Sequence, residues 1–314
     1  VEGGLGAWET TTYEQAPDLA STSFVAGYDF INNDAHANDD NSHGTHVTGT
    51  VAQTTNNNLG VAGVAFKTTI MPVKVLSAAG SGTYQQVADG IYYAVNNGAD
   101  IINLSLGGSS PSAILEDAVA YAYNNGVTVI AASGNSNAGS CDYPAAYDAY
   151  VIAVGATQYD ETKAPYSNYG PSLDVVAPGG NVEVDQNNDG YGDGVLQNTF
   201  GDTPVDWAYW FYQGTSMSTP HVSGVAALLL ARNPTLTPDR IRNALESTAE
   251  DLGNPGRDDT YGWGLIDAQA ALQSIAPAVH LLLTVEPSQA TYSSGQELTF
   301  TVNIFNQLNP PLEK

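Results

Sequence analysis

The feature that most constrains the fold is an alternation between short apolar runs and segments with helical spacing. Apolar runs of strand length lie at residues 70–76, 101–106, 127–132, 150–156 and 173–179. Between the first three runs, apolar residues recur every three to four positions, as they do when a helix packs one face on a sheet. Strands that alternate with such helices are typical of crossover units, which predicts an α/β fold with a mainly parallel central sheet flanked by helices.

The two ends of the chain differ in pattern. Residues 216–232 are nearly all small or apolar, which predicts a helix buried on the sheet. After residue 276 the pattern changes to two β-like runs joined by a turn, which predicts a short β-rich C-terminal tail. We expect residues 1–276 to form one main domain and residues 277–314 to be the truncated start of a β-sandwich-like domain, because two or three strands alone do not make a stable sandwich.

The charge of the chain limits the kinds of partner that it can have. Only 8 Lys and Arg side chains stand against 33 Asp and Glu side chains, so the formal net charge is -25. Such a chain repels phosphate backbones, and nucleic acid is not an expected partner. The sequence has no apolar run of 18 residues, so no membrane span is predicted. We expect a monomer.

Ser216 lies where the loop segment GTSMSTPH, residues 214–221, enters the buried helix. One interpretation is structural, since a serine often caps a helix by accepting a hydrogen bond from a free N–H group. The other interpretation is catalytic, because the helix dipole and the nearby N–H groups stabilise a developing negative charge. Position alone does not decide between them.

A serine nucleophile needs a neighbouring base, and the segment NSHGTHVTGT at residues 41–50 contains two histidines. His43 and His46 are three residues apart, so on a helix they share a face and also fit a metal-binding interpretation. A zinc site requires further ligands, whereas Cys141 is the only cysteine and no HExxH pattern is present. A general base is therefore the favoured interpretation.

Four segments in a fixed order give the chain a specific resemblance. They are NSHGTHVTGT, INLSLGG at 102–108, AASGN at 131–135 and GTSMSTPH. Together they resemble the catalytic domain of the subtilisin family of serine proteases, over about residues 17–272. The resemblance implies a three-layer subtilisin-like fold and a serine endopeptidase that acts on proteins through an acyl-enzyme on Ser216. It implies that His43 is the general acid and base, that Asn135 belongs to the oxyanion hole, and that His46 and His221 are structural.

The resemblance also implies a substrate-binding surface at the ends of predicted strands. One segment corresponds to a wall of the primary specificity pocket, and another corresponds to the edge that pairs with an extended substrate backbone. The pocket wall consists of Ser105, Leu106 and Gly107, and the pairing edge consists of Gly80, Ser81 and Gly82.

Asp142 corresponds to the base of the specificity pocket. A partly buried carboxylate favours a cationic partner, so we expect a preference for Lys or Arg at the cleaved position. The alternative is a solvated loop acid without a role in specificity.

Two structural calcium sites are predicted on different grounds, and no organic cofactor is expected. In the first, oxygen donors at alternate positions of residues 185–193 match the start of an EF-hand-type loop, although Leu196 stands where the terminal Glu belongs. The second rests on the family resemblance and involves a loop at residues 56–61 that is one residue longer than usual. The expected ligands are Asp185, Asn187, Asp189, Tyr191 and Asp193 in the first site, and Asp18, Asn56, Leu59 and Val61 in the second.

The family pattern also contains an aspartate that orients the histidine, at the end of an N-terminal strand of the type VAVxDTG. Residues 1–12 lack this strand. We expect the aspartate just upstream of Val1, and Glu9 is a weaker candidate. Three acids lie nearer to His43 in sequence without matching the motif: Asp29, Asp34 and Asp40.

The resemblance further implies a signal segment and a propeptide in the precursor, and an extracellular location. A rival hypothesis is a noncatalytic protein that keeps this fold for binding or surface display. A second rival, a calcium-dependent adhesive module, explains the acidic loop and the β-rich tail but none of the four motifs.

Overall fold

The computed structural model describes residues 13–278, 281–287 and 300–306, with side chains for residues 13–278. The N-terminal part begins with a turn of 3-10 helix at Pro17–Leu19 and contains four two-residue strands and two helices. These elements are β1 Ser23–Phe24, β2 Tyr28–Asp29, α1 His43–Ala52, β3 Thr69–Ile70, β4 Val73–Lys74 and α2 Tyr84–Asn96. β1 pairs with β3 and β2 pairs with β4, and both pairs are parallel.

The prediction of a single strand at residues 70–76 is wrong, because the structure has two separate short strands there. β3 ends at Ile70 and β4 starts at Val73, and the two strands pair with different partners. Pro72 lies between them and has no N–H to donate to a ladder, while its carbonyl accepts the N–H of Tyr28 at 3.2 Å.

The rest of the main domain contains the central sheet and four further helices. The elements in chain order are β5 Ile101–Leu104, α3 Ala113–Asn124, β6 Thr128–Ala132, β7 Val151–Thr157, β8 Val175–Pro178, β9 Val195–Phe200, β10 Trp207–Tyr212, α4 Thr215–Arg232, α5 Pro238–Ser247 and α6 Ala268–Ser274. β5, β6, β7 and β8 form one sheet in that order, and every neighbouring pair is parallel.

The sheet is covered on both faces, because successive residues of a strand point to opposite sides. In β6, Val129 and Ala131 belong to the core that includes α2 and α3, whereas Ile130 belongs to the core that includes α4 and α5. In β7, Ala153 and Val154 divide in the same way. The predicted three-layer α/β fold is therefore confirmed.

A hairpin that was not predicted connects the sheet to the buried helix. β9 and β10 are antiparallel, with Val195 opposite Tyr212 and Phe200 opposite Trp207. β10 ends three residues before α4 begins. In the tail, β11 Leu281–Pro287 and β12 Phe300–Asn306 are also antiparallel, as the β-like pattern predicted. The assignment of these strands to a second domain stays a prediction.

Within the described ranges, no helix combines the length and the apolar character that crossing a membrane requires.

Candidate active site

Ser216 lies in the first turn of α4, at the carboxyl edge of the central sheet. Its Oγ donates to the backbone oxygen of Ser105 at 3.3 Å, and Ser105 Oγ donates to the backbone oxygen of Ser216 at 2.8 Å. Ser105 directly follows β5, so these bonds tie the start of α4 to the end of a central strand. Open parallel sheets bind ligands at this edge, and the half-buried Ser216 hydroxyl lies there.

Two N–H donors converge beside Ser216. Asn135 follows β6, and its Oδ1 accepts hydrogen bonds from Thr215 N at 2.9 Å and from Thr215 Oγ1 at 3.0 Å. Because Oδ1 is held in this way, Nδ2 is oriented to donate elsewhere. A methyl group placed on Gly214 would lie 3.6 Å from Asn135 Nδ2 and 3.7 Å from Ser216 N. The two nitrogen atoms therefore border one small space, which is an arrangement that can stabilise an oxyanion.

Gly214 is required at this turn for two reasons. Its φ of +145° is a conformation that residues with a Cβ rarely adopt. In addition, a side chain there would fill the space between Asn135 Nδ2 and Ser216 N.

His43 is the first residue of α1, and α1 packs directly against α4. Burial lowers the pKa of the His43 imidazole, and the negative charge of Asp39 opposes part of that effect. A lowered pKa keeps the ring neutral near pH 7, which is the form that accepts a proton. The helix starts here because Asp39 accepts the N–H groups of Ser42 at 3.0 Å and Thr45 at 2.7 Å.

The three acids that failed to match the family motif are all engaged away from His43. Asp29 accepts the backbone N–H groups of Ile31 and Asn32, and Asp34 accepts that of His36. Asp40 forms an ion pair with Lys74. Glu9 and the rest of residues 1–12 lie outside the described residues, so the orienting acid stays a prediction.

The other two histidines of the catalytic motifs are bound to backbone carbonyls. His46 Nε2 is 3.0 Å from Val195 O and 3.2 Å from Trp210 O, and burial lowers the pKa of this ring to about 4. His221 Nδ1 is 2.8 Å from Met217 O, and burial lowers its pKa as well. These contacts give both rings structural roles.

Residues 105–107 after β5 and residues 133–135 after β6 both lie beside Ser216, since Ser105 Oγ donates to Ser216 O at 2.8 Å and Gly134 N donates to Thr215 Oγ1 at 3.2 Å. Asp142 lies between these segments, since its N–H donates to Ser133 O at 2.8 Å and the next residue, Tyr143, exchanges backbone hydrogen bonds with Gly108. A methyl group on Gly134 would lie 2.5 Å from Asp142 Oδ2, and one on Gly107 would lie 3.2 Å from Asp142 Cβ. The carboxylate therefore lies between Gly107 and Gly134.

Asp142 has no oppositely charged partner among the described residues. Burial raises the pKa of its carboxyl group. Among the described residues, the three ion pairs involve other acids, and no hydrogen-bond donor reaches its carboxylate. A cationic group bound beside it would supply the partner that the described residues do not.

The segment predicted to pair with substrate lies on the surface near His43. Gly80 N donates to Ser77 O at 2.8 Å and has a φ of +70°, so the chain turns tightly here. Asn41 Nδ2, two residues before His43, donates to Ala78 O at 2.7 Å. The structure thus places Gly80, Ser81 and Gly82 on the surface close to His43.

Asp18 is completely buried and lies near the loop at residues 56–61. Its carboxylate accepts hydrogen bonds from Gln53 Nε2, Asn57 Nδ2 and Tyr209 OH. Asn57 makes this contact, rather than the expected Asn56, which is exposed. The predicted ligands Leu59 and Val61 belong to the same loop, and Leu59 N donates to Asn57 Oδ1.

The other predicted calcium ligands lie between β8 and β9. Asp185, Asn187, Asp189 and Tyr191 are exposed, whereas Asp193 is buried.

Two supports of the active site had no signal in the sequence. Tyr166 OH accepts the N–H of Gly214 at 2.9 Å and donates to Gly180 O at 2.7 Å. Tyr212, in the unpredicted hairpin, stacks on His46 with ring centroids 4.3 Å apart, and its OH is 2.8 Å from Ser42 Oγ. Tyr166 thus holds backbone two residues before Ser216, and Tyr212 contacts the side chain of the residue before His43.

Comparisons with known proteins match the part of the chain that contains the candidate active site. A model of the Subtilase family matches residues 9–264. Over 256 residues, or 81% of this chain, the sequence is 47% identical to M-protease of Shouchella clausii and 46% identical to subtilisin Savinase of Lederbergia lenta. The match spans 60% of the length of M-protease and 85% of that of Savinase. A solved protease structure from Pseudoalteromonas arctica is 36% identical, has a TM-score of 0.74, and is matched over 84% of this chain and 87% of its own.

Proposed function

Because the chain belongs to the subtilase family, we propose that this protein is a serine endopeptidase that hydrolyses peptide bonds in proteins. The observation that carries the proposal is the convergence of Asn135 Nδ2 and Ser216 N on one space beside the Ser216 hydroxyl. A serine that only caps a helix needs no second donor at that point. A noncatalytic binding protein is not favoured, since it has no use for this arrangement.

The roles of the residues follow from their chemistry. Ser216 Oγ attacks the carbonyl carbon of the scissile bond while His43 takes its proton. The carbonyl oxygen becomes negatively charged and accepts hydrogen bonds from Asn135 Nδ2 and Ser216 N. His43 then gives the proton to the leaving amine, and the acyl group stays on Ser216. Water then attacks the acyl carbon while His43 takes its proton. His43 returns the proton to Ser216 Oγ as the acyl group leaves the serine.

A fluorophosphonate probe tests this mechanism, because it labels only a serine that has been activated as a nucleophile. We expect the parent protein to be labelled stoichiometrically and Ser216→Ala not to be labelled at all. Ser218→Ala is the matched control, since Ser218 lies in the same turn of α4, and it should be labelled like the parent protein. A parent protein that folds but takes no label would favour the binding protein instead.

Asp142 provides the basis for a proposal on substrate selectivity. Its unpaired carboxylate lies between the two segments that border the nucleophile, and burial raises its pKa, so a cation gains more from it than from a solvated acid. We propose that the protein prefers Lys or Arg on the acyl side of the cleaved bond.

Asp142→Asn should therefore lower kcat/KM for Lys and Arg peptides by about tenfold to a hundredfold, the range for a lost charged hydrogen bond. It should change kcat/KM for Leu and Phe peptides by no more than about twofold, because an apolar contact does not depend on the charge. Asp148→Asn, an exposed acid, serves as the control for net charge. A parent protein that clearly prefers Leu or Phe would overturn this proposal.

We also propose that Asp18 belongs to a structural calcium site, and buried amide oxygens support it. Gln53 Oε1 and Gln197 Oε1 have no hydrogen-bond partner in the described part of the chain. Both lie within 2.8 Å of the position that a methyl group on Gly49 would take, so two amide oxygens face each other. Half a turn of the Gln53 amide would pair its nitrogen with Gln197 and direct its oxygen toward Asp18.

A half turn of the Gln197 amide would relieve the same contact, but the turn of Gln53 suits a cation beside Asp18, because the oxygens of Asp18, Gln53 and Asn57 are donors that suit Ca²⁺. When bound, the ion would tie this buried carboxylate to the loop at residues 56–61. A calcium titration in which Asp18→Asn binds as many ions as the parent protein would argue against the site.

We further infer that the protein works outside the cell as a monomer and is made with a propeptide. Family membership supports the extracellular location and the propeptide. The net charge of -25 supports a monomer, because like-charged copies repel each other. Fractionation of the producing cells, with mass measurement of the mature chain, tests these points. Recovery of the protein only from the cell interior would contradict them.

A further inference from the structure

The acidic loop, defined here as residues 185–193, contains a buried carboxylate oxygen without a partner. Asp193 is 8% exposed, and its Oδ1 has no hydrogen-bond partner within the described residues. Its Oδ2 accepts the N–H of Gln186 at 2.5 Å, so the carboxylate faces back into the start of the loop. A buried anionic oxygen is unfavourable unless a donor or a cation meets it, so this position calls for a positively charged ligand.

Other oxygen donors lie on the same loop. Asp185 accepts the N–H groups of Asp189 at 3.1 Å and Gly190 at 3.0 Å, and Asp189 Oδ1 accepts that of Tyr191 at 2.9 Å. In the part of the chain that the structure describes, no three His, Cys, Asp or Glu side chains form a metal-binding group by themselves. An ion here would therefore add neutral ligands, such as the Asn187 amide, the Tyr191 carbonyl and water, to the carboxylates.

The chemistry of the loop selects the kind of ion. Its donors are all oxygens, and three of its nine residues are aspartates, which suits Ca²⁺ and not a metal that prefers sulfur or imidazole. None of the three ion pairs among the described residues involves these aspartates. The loop also lines an open crevice of about 350 Å³ together with Gln158 and Glu161, so a hydrated ion has access.

The acidic loop leads directly into the hairpin that supports His43. β9 starts at Val195, two residues after Asp193, and Val195 O is one of the two carbonyls that hold His46. Further along β9, Thr199 Oγ1 donates to Ser42 O at 2.7 Å. Ser42 immediately precedes His43 and has a left-handed φ of +74°. The hairpin thus fixes a strained residue next to the general base.

We propose that the acidic loop binds one calcium ion, with Asp193 as its most buried ligand, and that the ion fixes the start of β9 and through this hairpin the position of His43. The calcium site stands independently of the peptidase activity. The link to His43 rests on the proposed function.

Calorimetric titration with Ca²⁺ tests the site, on protein freed of metal by a chelator. A Ser216→Ala background prevents self-digestion, and the variants compared are Asp193→Asn, Asp189→Asn and, as a control of equal charge change, Asp202→Asn in the hairpin turn. Asp189 is exposed, so its variant should fold even if Asp193→Asn does not. We expect both loop variants to lose one ion per chain, or to bind it about tenfold more weakly or worse, while Asp202→Asn binds like the background.

The Asp18 region is unchanged in all these proteins, so binding there cannot account for a difference between them. Loop variants that bind the same number of ions with the same affinity as the background would overturn the site.

Peptide hydrolysis with Ser216 restored tests the link to His43. At saturating substrate, removal of calcium should lower kcat about tenfold in the parent protein and leave KM little changed, because a supporting contact of the base is lost and not a contact with substrate. Asp189→Asn should show the low kcat at any calcium concentration that saturates the parent protein. Calcium binding without any change in kcat would overturn the link, and a parent protein without activity would instead count against the proposed function.

Discussion

Replacing His43 by alanine is expected to lower kcat/KM for a peptide substrate by about a millionfold, which is the size of the loss in subtilisin itself when its histidine base is removed. Without the imidazole nothing takes the proton from Ser216 Oγ, and the hydroxyl is too weak a nucleophile at neutral pH. The thermal midpoint should change little, because His43 lies at the first position of α1, and Asp39 caps that helix through other N–H groups. Steady-state kinetics and a thermal melt measure the two effects.

The controls separate catalysis from the loss of any histidine. His36→Ala removes an exposed histidine from the preceding loop and should leave kcat/KM unchanged. The double variant His43→Ala with Ser216→Ala should be no less active than either single variant, because the two residues act as a unit. Additive losses, or His43→Ala activity within about a hundredfold of the parent protein, would show that another group serves as the base.

Asn135→Gly should lower kcat by about 100- to 1000-fold with little change in KM, as happens when subtilisin loses its equivalent donor. The Nδ2 hydrogen bond strengthens only when negative charge develops on the substrate oxygen, so its loss affects the transition state and not substrate binding. Asn137→Gly, two residues further along the same loop, is the control and should keep full activity.

Asn135→Asp separates the donor role from the anchoring role of this side chain. An aspartate can still accept the two hydrogen bonds from Thr215, but it offers no N–H to an oxyanion. We expect this variant to be at least as inactive as Asn135→Gly. Full activity in Asn135→Asp would mean that Asn135 only anchors Thr215.

The signals for the sheet and for the candidate catalytic residues are local. The buried strands are continuous apolar runs, and Ser216 and His43 lie in short motifs at helix starts. Pro72 shows the limit of the apolar pattern, since the run at residues 70–76 continues through a proline that interrupts the ladder.

Other parts of the site depend on contacts between distant segments. Tyr212 reaches Ser42 across 170 residues and Thr199 reaches it across 157 residues, and no periodicity within either segment indicates such a pairing. The choice of Asn57 over Asn56 at Asp18 depends on backbone geometry, because Asn56 and Asn58 on either side of Asn57 both have left-handed φ values. Motif spacing does not carry that information.

Gly214 has a consequence for recognising relatives that have lost activity. Any other residue there would place its first side-chain carbon 3.6 Å from Asn135 Nδ2 and 3.7 Å from Ser216 N, the two donors of the proposed oxyanion site, and would have to adopt a φ of +145°. A chain with the Ser216 and His43 motifs intact but a larger residue at this position is therefore expected to lose activity, and the strained backbone should also lower its stability. This one codon can thus identify an inactive copy in a genome, even when its nucleophile and base are both present.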